Sequence, residues 1–338
     1  MRPDAEDRPD LDALLVDVNR RTLAALERAL PRDDAEFLGV AVLAEERGGF
    51  HGAGTAERLR QALCEPIRAV LDRGGKGWRS YTIAAACEVV GGDFAPFEDW
   101  LALPELLHVG SLIVDDVEDD SLLRRGGPTC HRLFGSALAI NAGTFAYFAV
   151  QPLFERYPGP AATRAALYRE YVALLRAGHA GQGLDLLGLV GLRPALATQA
   201  TTPPTPLVPA VLELHRLKSG LAFRAFARLG ALLGGASEPQ LAAIGEFFAA
   251  VGTAFQIIDD VLAIEGFEGA TKTPLEDLAA GKITHPVALA LDTLPSPRRR
   301  ALLSALAAGA SGAPLAARIL AESLALQQSR RAAHELVA

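Results

Sequence analysis

Apolar residues recur at three- and four-residue intervals through Leu11–Leu30, Ala56–Leu71, Leu101–Val114, Ala161–Leu175, Val211–Leu233, Gln240–Leu262 and Leu302–Leu326. That spacing lays one apolar stripe along each helix and predicts an all-α chain built as a large helical bundle. Alternating, strand-like stretches are scarce. Gly74-Gly75, Gly91-Gly92, Gly126-Gly127-Pro128 and Gly234-Gly235 punctuate the joins. The longest loop expected, Thr198–Pro209, is rich in Thr and Pro but lacks the length and charge of an interdomain linker. One domain is therefore expected over residues 11–338, with disorder over 1–10 and a helical arm over 11–43 packing on the bundle or on a second subunit.

Leu133 to Phe154 carries no charged residue and is long enough to span a bilayer. Gly135, Ser136, Asn141, Gly143, Thr144, Gln151 and Pro152 interrupt it, so it reads as a helix buried on all sides and no transmembrane segment is expected. Phe145 and Phe148, three apart, can pack the core or line an apolar pocket.

Composition narrows the function classes. With 338 residues, 50% of them hydrophobic, the chain can bury a large core. A formal charge of −7 argues against nucleic-acid binding. Cys64, Cys87 and Cys130 stand singly, which fits neither a disulfide framework nor a zinc site and points to a reducing, cytoplasmic setting. The charged start, MRPDAEDRPD, lacks the apolar core of a secretion signal.

Two acidic clusters carry the chemistry: Asp115-Asp116-Val117-Glu118-Asp119-Asp120, and Gln256-Ile257-Ile258-Asp259-Asp260. In a helix, Asp115 and Asp119 share a face with Asp116 beside them, and Gln256, Asp259 and Asp260 do the same. Crowded carboxylates repel unless cations neutralise them, and grouped hard oxygens suit Mg²⁺, which fills its shell with substrate phosphate oxygens. A solvated acidic face is the alternative for either cluster alone. The apolar runs before each, Ser111-Leu112-Ile113-Val114 and Ala254-Phe255, argue against it.

Basic residues stand in small groups, mostly with glycine: Gly74-Gly75-Lys76-Gly77-Trp78-Arg79, Arg124-Arg125-Gly126, Lys218-Ser219-Gly220, Thr271-Lys272 and Gly281-Lys282-Ile283-Thr284. Each alone is compatible with an ordinary helix end. Together with the acidic clusters they supply what two diphosphates need, metals for one and direct Lys and Arg contacts for the other.

In order along the chain, Gly74-Gly75-Lys76 with Arg79, Glu105 through His108, Ser111 through Asp119, Arg124-Arg125-Gly126, Gly181-Gln182 with Asp185, Lys218-Ser219-Gly220, Phe255-Gln256 with Asp259-Asp260, and Gly281-Lys282 with Thr284 resemble the motifs of the all-trans isoprenyl (polyprenyl) diphosphate synthases. The resemblance covers roughly residues 60–295 and is nearest to geranylgeranyl diphosphate synthases. It implies an all-α bundle around a central cavity, the class I isoprenoid synthase type. It also implies a homodimer that condenses isopentenyl diphosphate with an allylic diphosphate, using about three Mg²⁺ ions as Lewis acids. By the same resemblance Asp115, Asp119 and Asp259 are metal ligands, while Asp116, Asp260 and Asp185 shape the shell or hold neighbouring cations. Arg124, Lys218, Lys272 and Lys282 would hold the allylic diphosphate; Lys76, Arg79, His108 and Arg125 would hold isopentenyl diphosphate. Ser219, Gln182 and Gln256 belong to the same substrate-binding motifs, and the leaving diphosphate is the implied base.

The chain departs from the family pattern at Gly77, where Arg is frequent, at Ser219, where Thr is usual, and at Ala263, where many members carry a third Asp. Ala263 cannot bind metal, which keeps two alternatives open: a class I terpene cyclase-like enzyme and a non-catalytic regulatory subunit of a prenyl synthase. Gly110 and Ser111, one turn before Asp115, are small, so the growing tail meets no early floor there. Phe145, Tyr147 or Phe148 would then form a deeper floor, with geranylgeranyl diphosphate the expected product.

Overall fold

A computed structural model describes residues 11–42, 54–75, 77–188, 206–266 and 275–338. Among these the only strands are Leu123–Arg124 and Gly127–Pro128, paired antiparallel with Arg124 opposite Gly127. Everything else regular is helical, so the all-α expectation holds. By contacts the chain forms two compact units, Met1–Tyr168 with Phe226–Leu241, and Arg169–Ala225 with Ala242–Ala338.

In the first unit, the segment expected as an arm forms helices Leu11–Ala29 and Asp34–Ala41, the second capped by Asp33, whose carboxylate accepts from the N–H groups of Ala35 and Glu36. Arg68 docks the arm. Buried itself, it donates to the carbonyls of Leu26 and Leu30 at the end of the first helix and pairs with Glu27. Residues 1–10, residue 43 and the part of the expected Thr198–Pro209 loop before 206 lie outside the described residues.

Helix Ala102–Glu118 forms the core of this unit, with Leu103, Leu106 and Ile113 fully buried. It crosses helix Ser136–Phe148 where Gly110 meets Gly143: a Cβ on Gly110 would lie 2.5 Å from the Gly143 carbonyl oxygen. Two glycines face to face permit this approach. The Leu133–Phe154 stretch differs from expectation. It forms three helices, Cys130–Phe134, Ser136–Phe148 and Gln151–Glu155, interrupted at Gly135 (φ +83°) and before Pro152. It is not buried on all sides either, since Leu138, Ile140 and Phe148 are exposed. Ser136–Glu155 and Glu238–Glu265 are long and apolar enough to cross a membrane by length and composition alone.

In the second unit, Val287, Leu291, Leu302, Leu306, Ile319 and Leu320 form a core into which the C-terminal helix packs through Ala325. Helix Leu207–His215 passes into a π-turn, Arg216–Gly220, before the chain resumes as α-helix at Leu221. The extra residue of a π-turn shifts the side chains that it carries, and such turns frequently mark functional sites.

Candidate active site

The helix bearing the first acidic cluster ends in a left-handed cap made without glycine. Asp120 takes φ +51°, and the Ser121 N–H donates back to the Asp116 carbonyl at 3.0 Å. The chain then returns as the short ribbon. Its turn, Arg125-Gly126, has φ +52° and +74°, both positive as a type I′ hairpin requires. An arginine in that conformation is strained, and such strain concentrates where side-chain placement matters.

The ribbon aims its two arginines at different acids. Arg124 Nε donates to Asp116 Oδ1 at 2.8 Å, its Nη2 shares the same oxygen, and Asp115 Oδ2 lies 3.6 Å away. Asp116 is 0% exposed and Arg124 6% by side chain, so this pair is a buried anchor. Arg125 instead reaches buried Glu105 at 3.5 Å. Glu105 and Asp116 are eleven residues apart, which places them on one helix face roughly 16 Å apart. Burial pushes the Arg125 guanidinium down from its ordinary value, Glu105 opposes this, and the charges of Arg124 and Arg73 reinforce it. Gly75 completes the group: a Cβ there would sit 3.3 Å from both Arg125 Nη2 and Glu105 Oε2. Arg79 and His108 are half-buried in the same unit, whereas Lys76 lies outside the described residues.

Asp115 and Asp119 are the carboxylates of this cluster left half-buried rather than withdrawn. They stand one turn apart, with the Asp119 N–H donating to the Asp115 carbonyl at 2.9 Å. Of the expected chain-length residues, Gly110 backs onto Gly143, Ser111 donates to the His108 carbonyl, Phe145 meets Phe37 edge-on at 6.1 Å, and Phe148 is 64% exposed. Tyr147 is the aromatic against Gly110, and burial, with Glu118 and Asp115 nearby, pushes its phenol up to about 12.

In the second unit the π-turn presents Lys218 and Ser219. Lys218 Nζ lies 2.6 Å from Asp185 Oδ2, and Lys282 Nζ lies 3.6 Å from the same oxygen and 3.8 Å from Asp277. Asp185 thus holds two lysines together. Glycines set this arrangement: a Cβ on Gly181 would meet the Lys218 backbone N at 2.6 Å, and one on Gly252 the Ser219 carbonyl at 2.8 Å. Gln182 is half-buried one residue after Gly181, and Lys272 lies outside the described residues.

Asp260 mirrors Asp116 in being withdrawn. Its Oδ2 takes His215 Nε2 at 2.7 Å and the His285 backbone N–H at 2.8 Å, while Gln256, which accepts from Ser219 at 2.6 Å, approaches its Oδ1 at 3.4 Å. Burial pushes the Asp260 carboxyl up, but the His215 charge and these hydrogen bonds outweigh it and hold the group below the usual carboxylate range. Asp259 stays half-buried, and Ala263 occupies the next turn. Sequence reasoning passed over His215, His285 and Arg73. His215 stands three residues before Lys218, a spacing that placed it beside the motif without showing its direction.

A family model described as polyprenyl synthetase matches residues 60–320. The chain belongs to the polyprenyl synthetase family. Among Arabidopsis thaliana relatives of this chain, geranylgeranyl pyrophosphate synthase 11 (chloroplastic) is 34% identical over 232 residues, 68% of this chain and 63% of that protein. Geranylgeranyl pyrophosphate synthase 10 (mitochondrial) is 34% identical over 66% of this chain and 64% of its own length. The matched region thus spans under two thirds of these relatives. The fold resembles that of the geranylgeranyl pyrophosphate synthetase of Pyrococcus horikoshii, with TM-score 0.76 and 23% identity over 96% of this chain and 90% of that one. It also resembles the Corynebacterium glutamicum geranylgeranyl pyrophosphate synthase solved with isoprenyl diphosphate and magnesium, with TM-score 0.75 and 22% identity over 97% and 91% of the two chains. The all-α architecture is therefore that of the isoprenoid synthases.

Prenyl diphosphate synthases generally use Mg²⁺. Among the described residues no three His, Cys, Asp or Glu side chains form a preformed metal-binding group. Mg²⁺ needs none: it usually takes one or two carboxylates and completes its octahedron with water and phosphate oxygens. The half-buried Asp115 and Asp119, hard oxygen donors one turn apart, fit that demand.

Proposed function

We propose that the chain is a Mg²⁺-dependent prenyl diphosphate synthase that joins isopentenyl diphosphate to an allylic diphosphate, giving geranylgeranyl diphosphate. The observation that carries this is the ribbon at 123–128. Arg124 anchors the acidic station of Asp115 and Asp119, while Arg125, the next residue, supports a basic station at Gly75. One station suits a diphosphate neutralised by metal, the other a diphosphate bound directly by cations. A terpene cyclase has no use for the second, and a non-catalytic subunit has no use for an intact first.

In this reading Asp115, Asp119 and Asp259 would be the Mg²⁺ ligands, as the motif resemblance implies, and the metal would supply Lewis-acid stabilisation of the leaving oxygen. Lys218 and Lys282, gathered by Asp185, would bind oxygens of the allylic diphosphate. Arg125, with Lys76, Arg79 and His108, orients isopentenyl diphosphate so that its double bond meets the allylic carbon. The condensation breaks the allylic C–O bond, forms one C–C bond and releases diphosphate and a proton, which the diphosphate accepts. Small Ser111 supports a product longer than fifteen carbons.

The exposed apolar residues Ile140 and Phe148, about 80° apart around helix Ser136–Phe148, support a homodimer formed through that side of the helix. Helix Ser136–Phe148 is not assigned to a membrane, since it ends after thirteen residues and packs one side on the core. Three buried free thiols support a cytoplasmic setting.

The test is product formation from isopentenyl diphosphate, each allylic starter and Mg²⁺. Asp115→Ala with Asp119→Ala is expected to lower the rate by orders of magnitude, because metal-assisted ionisation is the chemical step. A near-native rate would reject the metal assignment, and a dominant product of thirty or more carbons would reject the product assignment.

A further inference from the structure

Arg73, the residue before the Gly74-Gly75 turn, belongs to no motif and reaches across to the ribbon. Its Nη1 donates to two backbone carbonyls, those of Arg124 and Pro128, each at 2.8 Å. The guanidinium lies flat on Gly127: a Cβ there would be 2.7 Å from Cζ, 2.8 Å from Nη1 and 3.0 Å from Nε. Only a residue without a side chain leaves room for it. Gly127 keeps a negative φ, so it is this contact and not backbone conformation that asks for glycine.

The two carbonyls flank the strained Arg125-Gly126 turn, so Arg73 ties the Gly74-Gly75 backbone to the turn that carries Arg125. Both sides of the basic station are joined by one charged side chain. The Arg73 charge is also felt at Arg125. Against these two cations stands the buried carboxylate of Glu105, which leaves a surplus of positive charge for an anion to neutralise.

We propose that Arg73 is a positioning residue for the diphosphate of isopentenyl diphosphate, holding the glycine turn and Arg125 side by side so that one diphosphate can contact both. This rests on the proposed function and deepens it. The acidic station has a separate anchor, the Arg124–Asp116 pair, so loss of Arg73 acts selectively.

The experiment compares the native chain with Arg73→Gln, Arg73→Lys and Gly127→Ala. Arg73→Gln removes the charge and one arm of the fork, Arg73→Lys keeps a charged donor, and Gly127→Ala displaces the guanidinium from outside without altering it. Rates are measured with each substrate varied in turn, and isopentenyl diphosphate binding is measured separately by calorimetry. Arg73→Gln and Gly127→Ala are expected to raise KM and Kd for isopentenyl diphosphate roughly tenfold, the scale of one charge-assisted hydrogen bond. KM for the allylic substrate should stay within about twofold, and Arg73→Lys should recover part of the loss.

Equal rises in both KM values, unchanged isopentenyl diphosphate binding, or no recovery with lysine would each overturn the assignment. Absence of product from the native chain removes the proposed function but leaves the binding comparison decisive. A native chain that binds no isopentenyl diphosphate overturns both.

Discussion

His285 is 1% exposed, its Nδ1 meets Ser329 Oγ at 2.8 Å, and its pKa is lowered to about 4. Burial is the main cause, the neighbouring His215 adds to it, and Asp260 opposes both. Between about 4 and the unfolded value near 6.5, the unfolded chain takes up a proton that the folded chain refuses. Stability contributed by this residue is therefore intact above about pH 6.5 and falls as pH drops. The loss is about 2 kcal/mol by pH 5 and about 3 kcal/mol by pH 4, relative to pH 7.5. Asp260, held below the usual carboxylate range, titrates lower and does not enter the window above pH 5. The variant for comparison is His285→Asn, whose amide can still reach Ser329 but does not titrate. Urea unfolding followed by circular dichroism at pH 7.5 and 5 gives four free energies. The native chain should lose about 2 kcal/mol more than the variant. Losses equal within about 0.5 kcal/mol would refute a neutral, buried His285.

Removing Arg124 as Arg124→Met strands the Asp116 carboxylate in a fully buried site, with an expected cost of about 3–5 kcal/mol in thermal or urea unfolding. Adding Asp116→Asn should recover part of it, and no recovery would contradict the pairing. Gly181→Ala places a Cβ 2.6 Å from the Lys218 backbone N, so it should shift the π-turn and raise KM for the allylic diphosphate roughly tenfold. An unchanged KM would show that Lys218 is not held there.

Helical periodicity was legible because it runs for many turns, as in Ala102–Glu118 and Glu238–Glu265. The Leu133–Phe154 stretch misled because composition reports apolarity but not which side meets the core; Gly135 and Pro152 were visible as interruptions, and they are breaks. The ribbon has only two residues per strand, too few for any alternation to register. Both aspartate pairs stood out by chemistry. Which member turns inward did not, since adjacent helical positions differ by only 100° and the choice rests with distant partners: Arg124 for Asp116, His215 and His285 for Asp260. The eleven-residue spacing of Glu105 and Asp116 was present in the sequence, but it has meaning only once two consecutive arginines answer it. Arg73 had no signal, because its partners are backbone carbonyls fifty-one and fifty-five residues away.

The ribbon also makes this site intolerant of a kind of mutation that leaves every chemical group in place. Arg124 and Arg125 are chemically identical, so only their register distinguishes the residue that neutralises Asp116 from the one that meets Glu105. A single-residue insertion or deletion between Asp120 and Arg124 would move one arginine into the other's place, leave the remaining place without an arginine, and put the left-handed turn on the wrong residue. Composition would hardly change, yet one of the two buried acids would lose its arginine. Length, more than residue identity, is what divergent sequences must preserve between the first acidic cluster and Gly126.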